Sequence, residues 1–209
     1  MQTLIVIPMK DPSQAKQRLD GYLSADERAE LALTLFEQTL AFLGCHLPQY
    51  PVLVVTASTS ISERAQRYGA QVLQQSGNHG LNQAAASAAQ WAKEQGYQAQ
   101  LLLPADIAQL DKDELQHLLS QAGCQVVLAP AHDLGTNALL TSPPDVLPFC
   151  FGPGSSLLHR QQAEQRGLRF VQLELPHLAE DLDTPADLQQ LAAARHASTA
   201  REWLSCLTQ

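Results

Sequence analysis

The chain has 209 residues, 45% of them hydrophobic and 16% charged, which suits one sizeable core and does not demand two. Its 13 basic and 21 acidic residues leave a formal net charge of −8, which excludes a general nucleic-acid binder built on a basic stripe. No apolar run approaches the roughly 20 residues that cross a bilayer, and Met1 to Met9 lack the basic start and cleavage site of a secretory signal, so a soluble cytoplasmic protein is expected.

Thr3 to Pro8 is a continuous apolar run, the pattern of a central strand buried on both faces. Ser24-Ala25-Asp26-Glu27 reads as a capping box, and a helical pattern follows through Leu31, Leu35 and Leu43. Val52 to Val55 is a second strand, Ser60 to Tyr68 a helix ended by Gly69, and Ala70 to Leu73 a third strand. Leu81 to Gln95 is an Ala-rich helix stopped by Gly96, and Leu101 to Leu103 a fourth strand. Asp111 opens a helix closed by Gly123. Val126 to Leu128, Asn137 to Leu140 and Leu168 to Leu173 follow as strands, and Thr184-Pro185-Ala186-Asp187 starts a late helix with proline at its first position.

Strands alternating with helices predict a three-layer α/β protein with a mostly parallel central sheet. No internal repeat or long linker divides it, so one domain over residues 1–196 with a tail over 197–209 is expected, as a monomer or homodimer. Cys45, Cys124, Cys150 and Cys206 form no Cys-x-x-Cys pair and read as thiols in a reducing compartment.

Open α/β sheets bind ligands at the carboxyl ends of their strands, so the residues just after each strand carry the chemical information. Lys10, Lys16 and Arg18 follow the first strand, a cation set able to neutralise a triphosphate or to form a plain solvated loop. That loop is neither a Walker A motif nor a dinucleotide fingerprint. Asp106, at the tip of a buried strand, is placed to hold Mg²⁺ against phosphate oxygens. Asp181 and Asp183 share one side of an extended segment and repel unless a cation stands between them; with Asp106 they make a three-carboxylate metal site. Gly135-Thr136-Asn137 and Phe151-Gly152-Pro153-Gly154-Ser155 offer backbone N–H groups and a helix start to an anion, although each alone reads as an ordinary turn. The segment Ser76 to Asn82, with Gly77, Gly80 and Asn82, leads into the Ala-rich helix, and its backbone groups could read the edge of a purine, a weak signal alone. His159 reads as a packing or supporting residue rather than a base.

In this order the pieces resemble the 2-phospho-L-lactate guanylyltransferase family of deazaflavin coenzyme (F420) biosynthesis, including its phosphoenolpyruvate and 3-phosphoglycerate variants. The matching stretches are Ile7 to Lys10 with Ala15 to Leu19, Gly80-Leu81-Asn82, Pro104-Ala105-Asp106, Gly135 to Leu140, Phe151 to Ser155 with His159, and Asp181 to Pro185 with Asp187-Leu188. The resemblance implies a nucleotide-diphospho-sugar transferase (glycosyltransferase-A-like) fold. It also implies GTP and a phosphorylated three-carbon acid as substrates, with pyrophosphate as product. Carried over by motif, Asp106, Asp181 and Asp183 would hold Mg²⁺, and Lys16 and Arg18 with Asp106 would run the chemistry. Lys10, Gly80 and Asn82 would meet the nucleotide; Thr136, Gly152 and Ser155 would bind the acid. Two departures from the family pattern stand out: Ala108 where the family often has proline, and Leu134 where it often has a second glycine. Other readings are a molybdenum-cofactor guanylyltransferase, a cytidylyltransferase for a sugar or alcohol phosphate, and a non-catalytic nucleotide-binding regulator.

Overall fold

A computed structural model describes residues 2–121 and 123–194; the tail expected over 197–209 lies outside them. Strands β1 (Thr3–Pro8), β2 (Val52–Thr56), β3 (Gln71–Gln74), β4 (Ala99–Leu102), β5 (Val126–Pro130), β6 (Thr136–Thr141) and β7 (Phe170–Gln172) form one sheet in the order β3-β2-β1-β4-β6-β5-β7. β1 pairs in parallel with β2 and β4, β2 with β3 and β5 with β7, whereas β6 runs antiparallel to both β4 and β5. The expected mostly parallel sheet is therefore present, with one reversed strand inside it.

That reversal places the site. The carboxyl ends of β1 and β4 lie along one edge of the sheet. Because β6 points the other way, its first residues, Thr136 and Asn137, come to that same edge. β4 starts earlier than its leucine run suggests because Gln100 belongs to it, fully buried, its side-chain amide donating to the Pro144 carbonyl at 3.3 Å.

The helices are α1 (Ala25–His46), α2 (Thr59–Arg67), α3 (Leu81–Glu94), α4 (Lys112–Ser120), α5 (Ser155–Gln165) and α6 (Pro185–Ala194). Successive strand residues point to opposite faces and sort the core in two. Ile5, Ile7, Val54 and Leu101 pack against Phe36, Leu40 and Ile61 of α1 and α2. Leu4, Val6, Leu53 and Val55 pack against Ala84, Ala88 and Ala92 of α3, with Ala163 of α5 on the same side. Burying each such Leu, Ile, Val or Phe contributes about 1.5–3 kcal/mol. α1 starts as its sequence predicts: Ser24 Oγ accepts from the Glu27 N–H at 3.3 Å, and the Glu27 carboxylate accepts from the Ser24 N–H at 2.8 Å. Ser24→Ala is expected to lower unfolding free energy by about 1 kcal/mol in urea titrations.

A third apolar cluster joins Leu19, Leu23, Leu31, Leu35, Ala108, Leu182 and Leu188. It ties the loops after β1 and β4 to the segment entering α6, and so fixes the backbone that carries Lys16, Asp106 and Asp183. Among the described residues no helix is long and apolar enough to cross a membrane.

Candidate active site

A cavity of about 670 Å³ opens at this sheet edge, lined among others by Lys10, Lys16, Gly80, Asp106, Thr136 and Asp183. Residues expected from separate loops thus meet in one space. Lys16 is at its centre. Its backbone takes a left-handed conformation (φ 53°, ψ 38°) that non-glycine residues seldom adopt, and its side chain is buried. The conformation turns the ammonium inward, where Nζ donates to Asp106 Oδ2 at 2.8 Å and to Asp183 Oδ1 at 3.0 Å. Burial alone would push this amine down, but the two carboxylates outweigh it and hold Lys16 above its ordinary value. Arg18 is mostly exposed, reaches Asp183 at 3.7 Å and is not part of the cavity wall.

The carboxylates are brought together by backbone pairing. The Leu182 N–H donates to the Asp106 carbonyl at 3.1 Å, and Ile107 bridges Asp181 in antiparallel fashion. Asp187 caps the turn that follows, accepting from the Asp183 and Thr184 N–H groups, while Thr184 Oγ1 accepts from the Asp187 N–H. Asp181 has a long contact with Asn137 Nδ2 at 3.5 Å and, among the described residues, no cation within ion-pair reach. Burial first, and then the charges of Asp106 and Asp183, raise its carboxyl above the ordinary range.

The three-carboxylate metal centre expected from sequence is not assembled: among the described residues no three Asp, Glu, His or Cys side chains are gathered to hold an ion. The physical reason is Lys16, whose ammonium occupies the space between Asp106 and Asp183. The donor set still suits a divalent cation taking one or two carboxylates together with phosphate oxygens, and Asp181 adds a charge that its neighbours repel.

On the other wall Thr136 Oγ1 is 2.9 Å from Ser155 Oγ and 3.1 Å from His159 Nδ1. Ser155 is fully buried, so it supports Thr136 rather than facing the cavity itself. His159 Nε2 accepts from the Cys150 N–H at 3.1 Å, and burial pushes the imidazole down to about 4, leaving it neutral at physiological pH. The start of α5 is not an open anion cradle, because the Ser155 and Ser156 N–H groups already donate to the carbonyls of Gly152 and Leu134. Gly152 has φ 140°, a backbone reserved for glycine; it shapes the loop, whereas its neighbour Phe151 lines the cavity. Asn82 is also indirect: its side chain donates to the Phe151 carbonyl at 3.2 Å and accepts from the Phe151 N–H at 2.6 Å. Asn82→Ala is therefore expected to loosen the Phe151–Gly152 loop and raise KM for the acceptor more than for the nucleotide in steady-state kinetics.

Leu134 takes φ 65°. Glycine adopts that left-handed backbone freely, whereas it leaves about 1–2 kcal/mol of strain in the leucine. Ser58 and Gln75, which also line the cavity, were not singled out by motif. Both lie just past β2 and β3, so the strand-end rule applied to every strand would have found them.

A parallel-dominated sheet with this cavity at its strand ends is the architecture expected of a nucleotidyltransferase-type fold. Solved structures agree: a Desulfovibrio desulfuricans protein described as a nucleotide-diphospho-sugar transferase superposes with TM-score 0.75 at 18% identity, covering 99% of this chain and 94% of its own. A cytidylyltransferase from Leptospira borgpetersenii gives 0.64 at 16% identity, covering 96% and 89%. The chain belongs to the family of CofC-like guanylyl transferases, whose model matches residues 3–208. A 3-phospho-D-glycerate guanylyltransferase from Colwellia psychrerythraea is 50% identical to it over 194 residues, 92% of each chain. A phosphoenolpyruvate guanylyltransferase from Rubrobacter xylanophilus is 40% identical over 198 residues, covering 93% of this chain and 95% of its own. The protein is a nucleotidyltransferase of the guanylyl-transferring kind.

Proposed function

We propose that the chain transfers the guanylyl group of GTP to a small phosphorylated carboxylic acid and releases pyrophosphate, as a cytoplasmic step in deazaflavin coenzyme (F420) biosynthesis. The acceptor favoured is 3-phosphoglycerate, on the strength of the 50% identity to an enzyme named for it; phosphoenolpyruvate and 2-phospho-L-lactate are the other candidates. The observation that carries the reading is the buried Lys16 ammonium between Asp106 and Asp183, facing Thr136 across one cavity.

In the reaction an oxygen of the acceptor phosphate attacks the α-phosphorus of GTP. The new P–O bond forms as the bond to the bridging oxygen breaks, and pyrophosphate leaves with its electrons. A phosphate is already an anionic nucleophile at neutral pH, so no general base is required. Lys10, Lys16 and Arg18 neutralise the triphosphate, and Gly80, at the start of α3, lets the chain approach it closely. Asn82 acts at one remove, by holding the Phe151–Gly152 loop in place beside the acid. Thr136, supported by Ser155 and the Gly152 turn, meets the acid. Mg²⁺ held by Asp106 and Asp183, with Asp181 beside them, would supply charge neutralisation at the phosphates. Residues 1–196 then act as one catalytic domain.

The test is pyrophosphate release from GTP and Mg²⁺ with each of the three acids offered separately. Release with one acid and not with acid-free buffer supports the reading and names the acceptor. A sugar or alcohol phosphate accepted instead would reassign the acceptor class, and no release with any of them would favour a non-catalytic nucleotide binder.

A further inference from the structure

The hydrogen-bond logic around Thr136 goes a step beyond this reading and rests on it. His159 Nε2 faces the Cys150 N–H at 3.1 Å, and a main-chain N–H can only donate. Nε2 is therefore the accepting nitrogen, and the ring proton sits on Nδ1. Nδ1 faces Thr136 Oγ1 at 3.1 Å, so that bond runs from imidazole to hydroxyl. Ser155 Oγ, fully buried, has Thr136 Oγ1 at 2.9 Å as its side-chain partner. If Thr136 donated to Ser155, the Ser155 proton would be buried without an acceptor, a loss of about 1–3 kcal/mol. The arrangement that leaves no proton stranded has both Ser155 and His159 donating to Thr136. Its lone pairs are then filled, and its own O–H is left for the cavity that Thr136 lines.

We infer that His159 is a positioning residue that fixes Thr136 as an obligate hydrogen-bond donor, so that this wall takes an acceptor-substrate oxygen with lone pairs to offer, a carboxylate or phosphoryl oxygen, and excludes a group that can only donate. The edge-to-face contact of the His159 ring with Phe151, centroids 5.0 Å apart, holds the imidazole plane in place. The imidazole exchanges no proton with the substrate; its work is to orient one hydroxyl.

The two ring nitrogens can be replaced one at a time. Glutamine presents its amide where Nε2 stands and keeps a partner for the Cys150 N–H; asparagine presents its amide where Nδ1 stands and keeps a donor for Thr136. Initial rates with GTP and 3-phosphoglycerate are measured for His159→Gln, His159→Asn, Thr136→Val and the double variant Thr136→Val/His159→Gln, with thermal melting as a folding control. The expected result is a rise of about tenfold in the 3-phosphoglycerate KM for His159→Gln and for Thr136→Val, with the GTP KM within about twofold. His159→Asn stays near wild type. The double variant is no worse than Thr136→Val alone, because His159 acts only through that hydroxyl. Additive effects in the double variant, or an asparagine variant as impaired as the glutamine one, would overturn the inference and leave the guanylyl-transfer reading standing. A folded wild-type enzyme inactive with GTP and every phosphorylated acid would defeat that reading, and this inference with it.

Discussion

Asp106→Asn is expected to cut turnover by about 10³-fold, roughly 4 kcal/mol at the barrier, while the protein keeps its fold. The exchange is nearly isosteric and leaves the Leu182 N–H bonded to the residue 106 carbonyl, so the backbone pairing that assembles the site survives. Lys16 keeps Asp183 as its partner at 3.0 Å, so the buried ammonium is not abandoned. What disappears is a carboxylate charge at the end of a central strand, facing the phosphates. Steady-state assays of pyrophosphate release, with circular dichroism as the control, check this. Near-normal turnover would show that Asp106 has no part in catalysis.

Lys16→Met is expected to damage both activity and stability, and the stability loss carries the more specific signature. Removing a partner from a fully buried ion pair costs about 3–5 kcal/mol; here the two carboxylates are each about one-third exposed, so a loss near 2 kcal/mol is expected. The loss comes from Asp106 and Asp183, left with the cation between them gone and the charge of Asp181 nearby. Millimolar Mg²⁺ should then restore part of the lost Tm in the variant and change the wild-type Tm little, because in the wild type the ammonium already fills that space. Differential scanning fluorimetry with and without Mg²⁺ gives the comparison. Equal Mg²⁺ responses would mean that Lys16 and the ion do not compete for the same carboxylates. The activity loss follows from the same position, since Lys16 lines the cavity where the triphosphate would lie.

Much of the fold is written in local pattern. The seven strands appear where apolar β-rich runs predict them, and the capping box at Ser24 and the proline start of α6 come out as read. The direction of β6 was not legible, because a run such as Ala138-Leu139-Leu140 is equally apolar in either orientation and only its neighbours decide the pairing. Yet that direction is what brings Thr136 to the site. Among candidate site residues, the loops marked in the sequence meet at one cavity, but which side chains face it was not legible. Lys16 reads in sequence as one of three cations able to neutralise a triphosphate or to form a solvated loop; its burial depends on a left-handed backbone that no spacing rule announces. Asn82 and Ser155 fall in the right motifs, but their side chains are committed to Phe151 and Thr136 and act at one remove. Asp181 and Asp183 do stand near each other as an extended segment requires, but the protein's own ammonium lies between Asp183 and Asp106 and not between Asp183 and Asp181.

The central claim is that a phosphorylated acid attacks GTP at its α-phosphorus in this cavity. Phosphorus NMR of a reaction containing GTP, Mg²⁺ and 3-phosphoglycerate tests it most directly. The account predicts loss of the monophosphate signal, two coupled diphosphate resonances from the guanylylated acid, and free pyrophosphate in equal amount. Unchanged monophosphate beside hydrolysed GTP, or no change at all from a folded enzyme with any of the three acids, would contradict it.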